Sequence, residues 1–170
     1  DGRRATVAFT DDWSKDAGRR DFTINALYAD PYSGELFDYF GGLDDLKSRT
    51  VRFIGEPLQR IAEDHLRILR YFRFHARYGH GAPDAQALEA CVERANDLMA
   101  LSRERIADEL LKLLTLDDPT STIRMMHERG LLAPVLPEVS GIDRLGKLVA
   151  AERSAGIRLD PLRRLAALLP

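Results

Sequence analysis

The spacing of apolar and polar positions divides the chain near residue 57. Before that point apolar residues come in short runs broken by turn residues. In "ATVAFT", Val7 and Phe9 recur at period two, as in a half-buried strand. "FTINALYAD" is rich in β-branched and aromatic residues and ends at Asp30-Pro31 and Ser33-Gly34, both turn signals. "ELFDYF" stops at Gly41-Gly42, and "TVRFIG" is a fourth short run. This pattern predicts strands and turns at the edge of a sheet of which only part is present. Trp13, in the polar stretch "TDDWSKDAG", is expected in a loop that covers the sheet edge.

After Pro57 the period changes. At about 100° per residue, Leu58, Ile61, Ile68, Leu69, Phe72 and Ala76 share one stripe, and Arg60, Arg67, Arg70, Arg73 and Arg77 occupy the remaining arc. The spacing predicts one continuous helix over 58–79, ended by Gly79 and Gly81. Further helices are predicted over 84–99, over 102–115 with Ser102 as N-cap, over 119–129 between Asp118-Pro119 and Gly130, and over 142–155. A last one starts at Asp160, with Pro161 in its first turn. The fold class is therefore α+β and mostly helical.

Composition narrows the function. The 170 residues are 45% hydrophobic and 31% charged, enough for a core and a polar surface. No apolar run approaches the roughly 20 residues a membrane span needs. The charged start "DGRRATVAFT" is not expected to be a signal peptide. Cys91 is the single cysteine, so neither an internal disulfide nor a cysteine zinc site is available, consistent with a cytoplasmic protein. A net charge of −2 argues against a broadly basic nucleic-acid binder, so affinity for polyanions has to come from a local arginine cluster. Asp1 stands where a methionine would begin a complete chain, and the expectation is a piece of a longer protein.

Two stretches carry candidate chemistry. In "EDHLRILRYFRF", Asp64 and Arg67 are i and i+3 neighbours. On spacing alone this is a solvated ion pair worth a few tenths of a kcal/mol. However, five arginines on this segment face only Glu63 and Asp64 within it, and arginine presents a planar fork suited to phosphates and base edges. An aspartate beside an arginine displays an acceptor next to donors, the complement of a nucleobase edge. In "GRRDFTINALY", Asn25 either faces the core with its amide paired or faces a cleft and binds phosphate. His65, His75, His80 and His127 lack metal-ligand spacing.

"RRDFTINAL" resembles the RRDxxxNAL motif of class II tRNA nucleotidyltransferases, the CCA-adding enzymes, and of the related bacterial poly(A) polymerases. "FDYFGGLDDL", "RFIGEPLQRIAEDHLRILRYFRFHARYG" and "SRERIADELLKLL" resemble the motifs that follow in that family, in order, over residues 19 to about 114. The resemblance implies the end of a nucleotidyltransferase head sheet (1–56), a helical neck with the nucleotide-reading helix (57–118) and the start of a helical body (119–170). It implies that Arg20 and Asp21 contact the incoming nucleotide, and that Asn25 lies near the triphosphate and metal. Asp64 and Arg67 would read the base edge of CTP or ATP without a template, and Arg70 and Arg73 would bind phosphates. Asp38, Gly42 and Asp45 match a motif linked to the head–neck hinge, and Glu104, Arg105 and Glu109 match a structural helix.

The family's glycine-rich loop and its D-x-D pair for two Mg²⁺ ions do not occur in these residues. The expectation is that the metal ligands and the catalytic centre lie outside this chain, which alone is inactive. The expected partner is the tRNA 3′ end, with CTP and ATP as substrates. His65 stands where poly(A) polymerases tend to have proline, which leans toward the tRNA enzyme. Poly(A) addition, CC- or A-only addition, and a helical RNA- or protein-binding module without catalysis are the alternatives.

Overall fold

The computed structural model describes residues 11–170, so the strand expected in "ATVAFT" lies outside the described residues. Between 11 and 56 the backbone is less extended than the pattern predicts. The stretch around Trp13 is a helix, α1 (Trp13–Gly18), because the Asp12 carboxylate caps it by accepting from the N–H groups of Ser14 and Lys15. Trp13 packs edge-on against Tyr28 at 5.3 Å, on the small sheet.

Of "FTINALYAD" only β1 (Leu27–Ala29) is strand, and Thr23–Asn25 is a 3-10 turn. β1 pairs antiparallel with β2 (Leu36–Asp38), Leu27 opposite Asp38 and Ala29 opposite Leu36. After Gly41, at φ +75°, comes a helix the pattern did not announce, α2 (Gly42–Ser48). "TVRFIG" forms no strand beyond one isolated bridge between Phe22 and Phe53. The departures share a cause. Asp12, Asn25 and Asp38 accept backbone N–H bonds locally, and those bonds compete with a sheet ladder.

The single helix expected over 58–79 is two helices, α3 (Pro57–Glu63) and α4 (Arg67–Tyr78). The chain breaks at Asp64, whose backbone is extended at φ −154°, ψ 107°. Its carboxylate accepts from the Leu66 N–H at 3.1 Å and its carbonyl from the Arg67 N–H at 3.0 Å, so Asp64 opens α4 rather than continuing α3. The apolar stripe survives the break, since Ile61, Ile68, Leu69 and Phe72 are all buried. Gly79 ends α4, and a Cβ there would collide with the His75 ring.

The segment expected as one helix over 84–99 is α5 (Ala85–Glu93) followed by 3-10 turns over Ala95–Ala100. Then come α6 (Arg103–Leu114), capped by Ser102, α7 (Thr120–Glu128), α8 (Ile142–Ser154) and α9 (Pro161–Leu168), capped by Asp160. One core joins Phe22, Val51 and Phe53 to the buried faces of the helices as far as Leu168; a smaller cluster of Ala17, Ala26 and Ile54 sits under the hairpin. α6 packs against both α4 and α9. Among the described residues no helix is long and apolar enough to cross a membrane.

Candidate functional site

The turn that follows Arg19-Arg20 brings Asp21 inward. Asp21 is 5% exposed, accepts from Asn25 Nδ2 at 2.6 Å and takes Arg70 Nε at 2.5 Å. Burial opposes its charge, but the Arg70 guanidinium and the Asn25 amide outweigh it and hold the carboxyl below the usual aspartate range. Asn25 closes the turn on itself, its Oδ1 accepting from the Phe22 N–H at 3.2 Å. Both ends of its amide are therefore paired within residues 21–25, and Asn25 braces the Asp21 carboxylate.

α4 supplies a row of guanidinium groups, of which those of Arg67, Arg70 and Arg73 are met by carboxylates. Arg73 Nε donates to Glu109 at 2.7 Å, and Arg70 Nη1 lies 3.8 Å from the same residue, which is 3% exposed on α6. Arg70 and Arg73 also lie over the Phe74 ring, at 5.6 and 4.9 Å. At the α3–α4 break Arg67 Nη1 donates to Glu63 at 2.5 Å and to the Arg60 carbonyl at 2.7 Å. The Arg67 guanidinium holds the Glu63 carboxyl below its usual range. Arg60 in turn bonds Glu63 and donates to the carbonyls of Arg19 and Arg20. Both Asp64 carboxylate oxygens accept from Arg105 Nη2 of α6, at 3.0 and 2.9 Å.

A second set of residues fixes the turn from behind. Asp38 accepts from the N–H groups of Gly42 and Leu43 at 2.9 Å, capping α2, and these bonds overcome burial to lower its pKa. A side chain at Gly42 would run into the Thr23 carbonyl, so only glycine lets α2 approach the turn. Asp45, 5% exposed, accepts from Thr23 Oγ1 at 2.5 Å and from Arg52 Nε at 2.9 Å.

Asp21, Asn25, Arg70, Arg73, Glu109, Arg67, Asp64 and Arg105 thus form one zone where the first turn, the α3–α4 break and α6 meet. Arg20 reaches it through its backbone, while its side chain turns toward Asp16, 3.9 Å away. Asp64 and Arg67 are not on one helix face, as predicted, but flank a helix break, joined by a backbone bond. Glu104 stays exposed in the first turn of α6. Sequence reasoning gave no role to Arg60, Thr23 or Arg52; the bonds of Arg60 to the Arg19 and Arg20 carbonyls and of Thr23 to Asp45 span 22 to 41 residues and leave no local spacing.

Among the described residues, none of the expected nucleotide residues lines either of two surface cavities. One, of about 370 Å³, is walled by Trp13, Tyr28, Tyr32, Phe37 and Tyr39. The other, of about 550 Å³, lies between Thr23, Arg52, Phe53 and the start of α5. Among the described residues no group of three or more His, Cys, Asp or Glu side chains could hold a metal ion. The carboxylates of the zone are tied to arginines, so its donor set does not fit a divalent metal.

Two family profiles match the chain: the poly A polymerase head domain over residues 1–52, and the probable RNA and SrmB-binding site of polymerase A over residues 82–142. The mitochondrial CCA tRNA nucleotidyltransferase 1 of Mus musculus is 44% identical over 171 residues, covering 99% of this chain and 39% of the mouse protein. Poly(A) polymerase I of Haemophilus influenzae is 40% identical over 128 residues, covering 74% of this chain and 28% of that protein. The crystal structure of the Bacillus stearothermophilus CCA-adding enzyme in complex with CTP aligns with a TM-score of 0.72 at 34% identity, over 85% of this chain and 36% of that one. The chain spans less than two fifths of the length of these relatives.

Proposed function

Since the chain belongs to the family of CCA-adding tRNA nucleotidyltransferases and bacterial poly(A) polymerases, we propose that it is the nucleotide-selecting part of an enzyme that adds C and A to the tRNA 3′ end from CTP and ATP. Residues 1–56 are the end of its head, 57–118 its neck and 119–170 the start of its body. The cytoplasmic compartment belongs to the same proposal; the mouse relative is mitochondrial by name, and fractionation of the cell that makes the protein decides between them.

One observation carries the reading. A carboxylate and a guanidinium, Asp64 and Arg67, flank a helix break, and each is oriented by a charged partner, Arg105 and Glu63. CTP and ATP each offer an exocyclic amine donor beside a ring-nitrogen acceptor. Asp64 has acceptor capacity beyond the bonds it accepts from Arg105 and from the Leu66 N–H, and both Arg67 bonds run from Nη1, which leaves the rest of the fork for the ring nitrogen. UTP and GTP present the opposite polarity and would leave buried polar groups unpaired. Arg70 and Arg73, bridged by Glu109, form the cationic shelf for the phosphates, and Asp21 with Asn25 sets the position of Arg70. Arg20 contacts the nucleotide from the edge of the zone. Asp38, Gly42 and Asp45 hold the turn against α2 at the head–neck hinge. The Mg²⁺ ligands of the transfer step lie outside this chain, and no step of that chemistry is assigned to the residues described.

The test is incorporation by the full-length enzyme on tRNA lacking its 3′ end. Addition of C then A supports the reading; a long A tail, A alone or C alone selects one of the related activities. In the same assay Arg67→Ala should cut the preference for CTP over UTP by about 10-fold or more, the scale at which a lost base-edge contact shows. Unchanged preference removes the base-reading role.

A further inference from the structure

Arg164 lies on α9, outside both stretches matched by the family profiles. Its side chain is 3% exposed. Nε donates to Glu152 at 2.8 Å, Nη1 to the carbonyls of Leu114 and Leu116 at 2.9 and 2.5 Å, and Nη2 to the carbonyl of Asp117 at 3.3 Å. Four donor contacts from one buried guanidinium leave little of the fork unused. Glu152, on α8 and 4% exposed, is held from its other oxygen by Arg163 at 2.9 and 2.6 Å.

Of the carbonyls that Arg164 takes, that of Leu114 is the last of α6, and those of Leu116 and Asp117 follow just beyond its C-cap. The last carbonyls of a helix have no partner within it, and the helix dipole makes that end negative, so a buried cation there is doubly favoured. Arg164 thereby fastens the C-terminal end of α6 to α8 and α9. Arginine suits the task because its planar fork meets several fixed oxygens at once, which a lysine ammonium on a flexible stem does not.

α6 is also the helix that presents Arg105 to Asp64 and Glu109 to Arg70 and Arg73. Glu109 precedes Leu114 by five residues, about 7.5 Å along the axis at 1.5 Å per residue. The helix between them packs with its Leu110, Leu113 and Leu114 side chains in the core, so a shift of its end moves the whole segment. A site that discriminates by hydrogen bonds is sensitive to displacements of about 1 Å.

We propose that Arg164, braced by Glu152, is a positioning residue for nucleotide selection: it sets the placement of α6, and through Arg105 and Glu109 the placement of Asp64, Arg70 and Arg73. The proposal rests on the reading of Asp64 and Arg67 as the base-edge reader.

The experiment uses the full-length enzyme and compares CTP with UTP incorporation on tRNA lacking its 3′ end, with kcat and KM taken per active site. Arg164→Met should raise the KM for CTP about fivefold and lower the CTP-over-UTP preference in parallel, and Arg164→Lys should recover part of both. The double variant with Arg105→Ala should lose less than the product of the single effects, because both act through one helix. A folded Arg164→Met enzyme with wild-type KM and preference but lower Tm overturns the proposal, as does strict multiplicativity with Arg105→Ala. Should Arg164→Met fail to fold, Glu152→Gln takes its place: a shift of about twofold in the same direction supports the proposal and an unchanged preference refutes it. Arg67→Ala separates the two levels. If it leaves the preference intact, the base-edge reading fails and Arg164 has nothing to position. If it shifts the preference and Arg164→Met does not, only the present inference fails.

Discussion

The two sides of residue 57 are held together differently. From Pro57 onward the helices bury large side chains against one another: Phe72, Leu113, Leu114 and Met126 are all at most 1% exposed. Before it, the two-stranded sheet buries none of its strand residues, and Tyr32, Leu36, Phe37 and Tyr39 are exposed on and around it. A hairpin of this size is marginal in water by itself. Residues 11–56 join the core through Phe22, Val51 and Phe53, and directed polar bonds hold the turns around them: the Asp38 cap, the Asp45 bonds to Thr23 and Arg52, and the Asp21–Arg70 pair that reaches across to α4. The helical side is built mainly from area, the other side from a few buried anchors, Phe22, Val51 and Phe53, and a set of directed bonds. The proposed nucleotide zone lies on the seam, where a directed bond on one side sets the geometry of a packed helix on the other.

The largest effects should come from the packed side. In urea unfolding of the 170-residue chain, Phe72→Ala should cost about 3–5 kcal/mol, the range for a buried aromatic truncated to alanine. Phe37→Ala, on the exposed hairpin, should stay within about 0.5 kcal/mol. Equal costs for the two would erase the contrast.

Next in size is the seam. Asp21→Asn removes the charge that Arg70 and Asn25 share, and should cost about 1–3 kcal/mol, since Arg70 is partly exposed and can turn to water. In the full-length enzyme the same change should weaken binding of every nucleoside triphosphate alike, because in the proposed reading Asp21 acts through Arg70, a phosphate-binding arginine, and not through Asp64 and Arg67. A selective loss of CTP over UTP would contradict that assignment.

The smallest effect is a pH dependence that separates His75 from the paired carboxyls. His75, buried in α4, is held below its usual pKa by burial, against a bond to the Gly81 backbone. The unfolded chain therefore takes up this proton first, and stability is full above about pH 6.5 and declines as pH falls from there toward the lowered value in the fold. The carboxyls of Asp21 and Asp38 are lowered in the fold, so their contribution is present above the ordinary aspartate range, about pH 4, and is lost as pH falls below it. A urea-midpoint profile should show two declines, and His75→Leu should remove only the upper one. Survival of the upper decline in His75→Leu would assign it elsewhere.

Much of the helical side was legible in advance. Ser102 and Asp160 announce α6 and α9 because a cap and its helix are neighbours in sequence, and the stripe from Ile61 to Phe72 is buried as its period requires. The strand reading of residues 22–30 was less successful, since a period-two pattern does not reveal that Asn25 will bond its own turn. The order of the motifs from Arg19 to Leu114 identified the family, and the family-profile matches agree.

The starts of α5 to α9, the apolar stripe and the family were set by the order of residues alone, because they depend on periods and neighbours within a few positions. The partners of the charges were not. Asp21 with Arg70, Asp64 with Arg105, Glu109 with Arg73 and Arg164 with the end of α6 lie 36 to 50 residues apart. Nothing in local spacing selects among 25 cations and 27 carboxylates. Only the packing of α4, α6 and α9 around a shared core brings particular pairs within reach, and with them the geometry of the zone.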